Sequence, residues 1–125
     1  MENAHLHVYN EQVKEIYMSN KKCSYWVIYD FSYPNSYGEF YQWVAETDKN
    51  AKECGINGVF FKFTGDINDL EESLNKAITN AKKERIYVIH KNENDIISGK
   101  FLFGKRKRST PWDDYIMLDE ENDDR

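Results

Sequence analysis

Apolar positions along the chain fall into two rhythms, and the strand-like one is the stronger. Ser24-Tyr25-Trp26-Val27-Ile28-Tyr29-Asp30-Phe31 is aromatic and β-branched almost without a break, the composition of a strand covered on both faces. Ser32-Tyr33-Pro34-Asn35-Ser36 then supplies turn residues, which leaves Asp30 at the carboxyl end of a central strand, beside a loop. Val59-Phe60-Phe61-Lys62-Phe63-Thr64 and Arg85-Ile86-Tyr87-Val88-Ile89-His90 read as further strands. After the polar turn Asn92-Glu93-Asn94-Asp95, Ser98 to Lys105 reads as the second arm of a hairpin, with Phe101 and Phe103 on one face.

The helical rhythm appears twice in this region. Tyr37, Phe40, Trp43 and Val44 share a face, so a helix is predicted from about Tyr37 to Thr47. Ser36 would be its N-cap and Glu39 the reciprocal partner three residues on. Leu70, Leu74, Ala77, Ile78 and Ala81 trace a second stripe behind the cap candidates Asp66 and Asn68. Its early Glu71 and Glu72 and late Lys82 and Lys83 match the helix dipole. A short amphipathic helix is expected over Glu11 to Met18, where Val13, Ile16 and Tyr17 align.

The segment between the first helix and the Val59 strand decides the topology. Residues from Asp48 to Gly55 either prolong the helix or form the first arm of a hairpin over Ala51 to Ile56. Asn57-Gly58 favours the hairpin, because both residues tolerate positive φ. The order β-α-β-β-α-β plus a final strand then predicts an α+β ferredoxin-like sandwich, with two helices on one face of an antiparallel sheet. Right-handed crossovers place the Tyr25–Phe31 strand beside the Val59–Thr64 strand at the centre. The helices can cover only one face, so rings on the other would call for a partner sheet or a clasp. If the hairpin fails, the alternative is a small parallel α/β sheet.

Length and composition narrow the class. The chain has 125 residues, one domain's worth. We divide it into an N-terminal extension (1–22), the ferredoxin-like domain (23–108), and a Trp-containing segment with an acidic tail (109–125). Aromatic residues make up 15%, a surplus that implies a core or contact surface built from rings. Cys23 and Cys54 match no metal-ligand spacing and are too few for a disulfide framework. With no long apolar window and no signal-peptide profile, a cytoplasmic protein without a membrane partner is expected. The net charge of −5 argues against indiscriminate nucleic-acid binding. Its distribution matters more: Lys105-Arg106-Lys107-Arg108 is a basic run, and Asp119-Glu120-Glu121-Asn122-Asp123-Asp124 an acidic one. Blocks this close can screen one another within a Debye length of roughly 8 Å.

The strand ending in Tyr29-Asp30, the turn and helix after it, the hairpin arm running into Thr64-Gly65-Asp66, and Ile86-Tyr87-Val88-Ile89 together resemble the CRISPR-associated Cas2 proteins and the small SinR-like group related to them. The resemblance covers roughly residues 25–104. It implies a symmetric homodimer in which the last strand, here Lys100 to Lys105, extends the partner's sheet. It also implies that Asp30 lies at the dimer interface and binds a divalent metal. The chain departs from the pattern in its N-terminal extension and acidic tail, and Ser32 to Tyr41 holds no counterpart of the family's arginines.

Candidate chemistry is therefore sparse. In a nuclease of this kind Asp30 would be the catalytic and metal-binding residue, two copies holding one Mg²⁺ across a two-fold axis; an aspartate after a strand is equally an ordinary turn residue. Lys105, Arg106, Lys107 and Arg108, flanked by Phe101, Phe103 and Trp112, are the nucleic-acid candidates, and a solvated strand end is the plain alternative. Trp112 and Tyr115, with Ile116 and Met117, are interaction candidates that would dock as an apolar clasp. His90 lacks a nucleophile partner at any fixed spacing, and His5 and His7 lack further metal ligands. Walker, glycine-rich phosphate, Cys-x-x-Cys and His-Glu-x-x-His motifs are missing from the sequence, which disfavours cofactor enzymes. The expected function is binding of nucleic acid or a protein partner in a defence or mobile-element context. The alternatives are an Mg²⁺-dependent endonuclease acting through Asp30, and an acidic inhibitor whose tail imitates phosphate.

Overall fold

A computed structural model describes residues 21–107 and 109–116. The expected helix over Glu11 to Met18, the His5/His7 pair, Arg108, Met117 and the acidic tail lie outside the described residues. Five strands form one antiparallel sheet: β1 (Lys22–Asp30), β2 (Lys52–Glu53), β3 (Gly58–Thr64), β4 (Arg85–Lys91) and β5 (Ile97–Phe103). Their order across the sheet is β2-β3-β1-β4-β5, and every neighbouring pair is antiparallel. The parallel alternative is therefore excluded. Helix α1 (Pro34–Thr47) connects β1 to β2, and α2 (Ile67–Ala77), followed by a 3-10 turn at Ala81–Lys83, connects β3 to β4.

Alternation along β1 sets the layers. Tyr25, Val27 and Tyr29 are buried while Trp26, Ile28 and Asp30 are exposed, so one face of the sheet meets the helices and the other does not. Phe61 on β3 and Ile86 and Val88 on β4 join the buried face, where Phe40 and Trp43 of α1 and Leu70 and Leu74 of α2 cover them. The two helices are tied together where Trp43 Nε1 donates to Ser73 Oγ at 2.9 Å. Tyr25 is buried to its hydroxyl, which donates to the Gly65 carbonyl at 2.9 Å. Burial is the main reason its phenol is held well above the usual range.

Helix α1 is capped differently from the expected Ser36/Glu39 box. Pro34 occupies the first turn, where its missing N–H costs nothing, and Tyr33 ahead of it is extended. The amides before the helix are taken instead by Glu84, from the far end of the second crossover. Its Oε1 accepts from Ser32 N at 2.6 Å and its Oε2 from Tyr33 N at 3.1 Å. Glu84 is 1% exposed, so a distant buried carboxylate anchors the turn that leads into the helix and also suits the positive end of the helix dipole. Ser36 is buried with its hydroxyl unpartnered. Glu39 turns away and accepts from the Thr79 amide and hydroxyl, at 3.2 and 2.7 Å. Helix α2 does follow its local signal: Asp66 and Asp69 form a reciprocal capping box.

The hairpin after α1 is present, and the helix stops at Thr47 as its spacing predicts. The reversal, however, is a turn with Ile56 and Asn57 at its centre, where Gly58 N donates to Gly55 O at 3.4 Å and Gly55 has φ 106°, and not one centred on Asn57-Gly58. Cys54 N donates to Gly58 O at 2.7 Å, so Gly58 already belongs to the strand. A Cβ at Gly58 would lie 2.6 Å from the Cys54 carbonyl oxygen. Gly58→Ala is accordingly expected to destabilise by about 1–3 kcal/mol, read as a lower urea midpoint; an unchanged midpoint would mean that the turn relaxes freely.

Because β2 has only two residues, much of the outer edge of β3 lacks a strand partner. Asp48 extends the ladder by side chain, accepting from Lys62 N and Asn50 N, each at 2.9 Å. The bond from Lys62 N, then that from Asn50 N, favours the charged form and lowers the Asp48 pKa below 3.8. A carboxyl with a lower pKa folded than unfolded contributes stability above its unfolded pKa and loses it as pH falls through the folded one. Melting temperatures of the wild type and Asp48→Asn should therefore differ near neutrality and converge on acidification from about pH 5 to pH 2. Parallel curves would contradict this role.

One further correction concerns β5. Its pairing with β4 shifts register between Ile86 and Tyr87, so Ile86 faces Phe103, Tyr87 faces Phe101, and Leu102 is the extra residue. This bulge puts Phe101 and Phe103 on opposite faces. Phe103 enters the core, and Phe101 stays on the uncovered side against Tyr87, ring centroids 5.0 Å apart.

Candidate binding face

The uncovered face of the sheet is where the exposed chemistry collects. In its central row Phe60, Trp26, Ile89 and Gly99 lie side by side on β3, β1, β4 and β5. The adjacent row runs Gly58, Ile28, Tyr87, Phe101. Trp26 and Phe60 form a cross-strand ring pair with centroids 5.0 Å apart, the kind of contact that stabilises a sheet on its own. Trp26 nonetheless remains 38% exposed and Ile28 52%. Apolar groups in that number on adjoining central strands form a patch that a monomer has no reason to leave in water.

Charge frames the patch at both ends. Lys22, Lys62 and Lys91 are exposed, and strand alternation puts them on the same face as Trp26 and Phe60. Lys22, Lys91, Ser24 and Trp26 share a hollow of about 360 Å³, with Asn92 and Asp95 at its rim. At the opposite end Arg85 Nη1 donates to Asp30 Oδ2 at 2.9 Å. The guanidinium of Arg85 lies 5.7 Å from the Phe101 ring centre, and that of Arg106 6.0 Å from it.

The residues singled out from the sequence are thus dispersed. Asp30 ends β1 on the uncovered face but is occupied by Arg85. Lys105, Arg106 and Lys107 are exposed after β5, with only Arg106 reaching the face through Phe101. Trp112 and Tyr115 are 58% and 70% exposed, so the expected apolar clasp does not close over the sheet. That segment is instead organised by Asp113, whose carboxylate accepts from the Thr110 amide and hydroxyl, bonds that lower its pKa. His90 turns toward the helix side, its ring 5.9 Å from that of Tyr25. Cys23 and Cys54 are free. Among the described residues no three His, Cys, Asp or Glu side chains gather in a way that would hold a metal ion.

Sequence reasoning expected rings on a bare face but did not single out Trp26 and Phe60 or the lysines beside them. The signal was present in the two-residue period of β1, masked because both of its parities are apolar.

A hollow of about 480 Å³ lies on the other side, between α1 and the β2–β3 edge. There the Tyr29 and Tyr41 hydroxyls are 3.1 Å apart, and burial followed by that contact raises the Tyr29 phenol well above its usual range.

Fold and face together define a small α+β domain with a five-stranded antiparallel sheet, helices on one side and a ring-bearing, lysine-edged surface on the other. No described helix is long and apolar enough to cross a membrane. No family model, curated protein or solved structure matches the chain.

Proposed function

We propose that this chain is a ferredoxin-like, Cas2-like binding module that acts on a nucleic acid or protein partner of a defence or mobile-element system by contact and not by catalysis. The ferredoxin-like plan is supported by the antiparallel order β2-β3-β1-β4, with a helix in each crossover and β5 added at the edge. The defence setting rests on the resemblance of the Tyr29-Asp30 strand and its neighbours. The observation that carries the binding reading is the uncovered sheet face, where Trp26 and Ile28 stand in water on the central strand.

Hydroxyl-radical footprinting tests it, once with a mixed-sequence oligonucleotide and once at rising protein concentration. Protection of Trp26, Ile28 and Phe60 is expected in at least one condition. Protection confined to the helices, or none in either, would overturn the reading.

A homodimer is a second reading, favoured by the outer edge of β5, which has no strand partner among the described residues and exposes residues 97–100. Sedimentation velocity distinguishes a 14.9 kDa monomer from twice that mass. The endonuclease reading has less support. A divalent ion needs several oxygen ligands, whereas Asp30 offers one carboxylate that already accepts from Arg85.

A further inference from the structure

The binding reading leaves the partner's chemistry open, and the arrangement of rings and cations on the face narrows it. Trp26 and Phe60 sit on neighbouring central strands with part of their faces open to solvent. Lys62 follows Phe60 by two residues on β3, Lys91 follows Ile89 by two on β4, and Lys22 lies at the start of β1. The strand period puts all three on the side of the rings. The chain as a whole carries −5, yet this face offers three exposed lysines against Asp95 in the hollow, Asp48 beside Lys22 and Lys62, and an Asp30 already paired with Arg85. The complement of such a surface is anionic and planar.

A second copy of the chain is a poor complement. Lys22, Lys62 and Lys91 gather at one end of the face, so a pair that brings these ends together sets cations against cations, and the opposite end offers them only Asp30, a carboxylate already engaged by Arg85. Duplex nucleic acid supplies the phosphates but keeps its bases stacked inside, where the rings of a flat sheet cannot reach them. An unstacked strand supplies both, since any base has a face to stack and sequence need not matter.

We propose that the uncovered face is a platform for single-stranded nucleic acid, with bases stacking on Trp26 and Phe60 and phosphates held by Lys22, Lys62 and Lys91. The proposal rests on the binding reading above and names its partner class. The lysines provide attraction that weakens with salt, by a log–log slope of about 0.7 per phosphate contact for single strands. The rings make that attraction selective for unpaired strands.

Fluorescence anisotropy with labelled dT and U oligomers of about ten nucleotides, and with a duplex of equal length, tests this on the full chain. The single strands are expected to bind at least about tenfold tighter than the duplex, with Trp26→Ala and Phe60→Ala each weakening them by about tenfold. Trp26→Phe should restore most of the loss, and urea midpoints show that the variants are folded. Replacing Lys22, Lys62 and Lys91 with glutamine should reduce the salt slope by about 2. Tighter binding of either the dT or the U oligomer supports the proposal and assigns the sugar. Absence of oligonucleotide binding, together with self-association that Ile28→Glu abolishes, would overturn this ligand while leaving the face as a binding surface. Oligonucleotide binding unaffected by the ring variants, but abolished by glutamine at Lys105, Arg106 and Lys107, would overturn both.

Discussion

Truncating Phe61 to alanine is expected to remove about 3–5 kcal/mol of stability, the range for a fully buried phenylalanine. Phe61 is 0% exposed at the centre of β3. It touches Tyr25 across the sheet, centroids 6.1 Å apart, and Trp43 of α1 edge-on at 5.2 Å. Its removal therefore opens a cavity where sheet and helix meet, and the ring contacts are lost with the transferred area. For a domain whose total stability is about 5–15 kcal/mol, this is a large fraction. The check is urea unfolding: a much lower midpoint at an unchanged slope is expected, whereas a loss below about 1 kcal/mol would mean that the core closes over the gap.

Glu84→Ala should cost about 2–4 kcal/mol, because it strips acceptors from two backbone amides at a buried junction. Glu84 joins the loop after β1, the start of α1 and the approach to β4 through bonds to Ser32 N and Tyr33 N. Glu84→Gln keeps one acceptor oxygen and should lose about half as much. Amide exchange at Ser32 and Tyr33 should accelerate in the alanine variant beyond what global destabilisation explains. If alanine is neutral, the carboxylate does not anchor the entry to α1.

That junction also shows where sequence reading stops. The Ser36/Glu39 pattern satisfies a local rule, yet the helix starts earlier, at Pro34, and the amides leading into it are served by Glu84, 48 residues beyond Ser36 by number and adjacent only after folding. A non-local anchor leaves no spacing to detect. Helix α2 was legible from its apolar stripe and the cap candidate Asp66, although the partner in the cap is Asp69 and the helix ends at Ala77, before the expected Lys82 and Lys83. Strands β1, β3 and β4 were legible from their apolar runs, and the central pairing of β1 with β3 followed from handedness once the hairpin was chosen. The hairpin's existence was signalled by Asn57-Gly58, but its turn is centred one residue earlier, on Ile56-Asn57, because Gly58 closes a ladder bond with Cys54. The bulge at Leu102 was invisible for a related reason: period two makes Phe101 and Phe103 look equivalent, and one inserted residue sends them to opposite sides.

The same limit applied to the candidate site. Asp30 and the Lys105–Arg106–Lys107 run attract notice as charged clusters in a linear string. Trp26, Phe60, Lys22, Lys62 and Lys91 come from three strands and meet only through register. The exposure of Trp26 and Ile28 beside buried Tyr25, Val27 and Tyr29 separates the uncovered side of β1 from its core side.

The most direct test of the account is a ¹H–¹⁵N spectrum of the intact chain titrated with the dT oligomer. Binding on the uncovered sheet face places the largest shifts on the amides of Trp26, Ile28, Phe60, Lys62 and Ile89 and on the Trp26 indole. Shifts centred on residues 105–107 and Trp112, with the central strands unmoved, would contradict it.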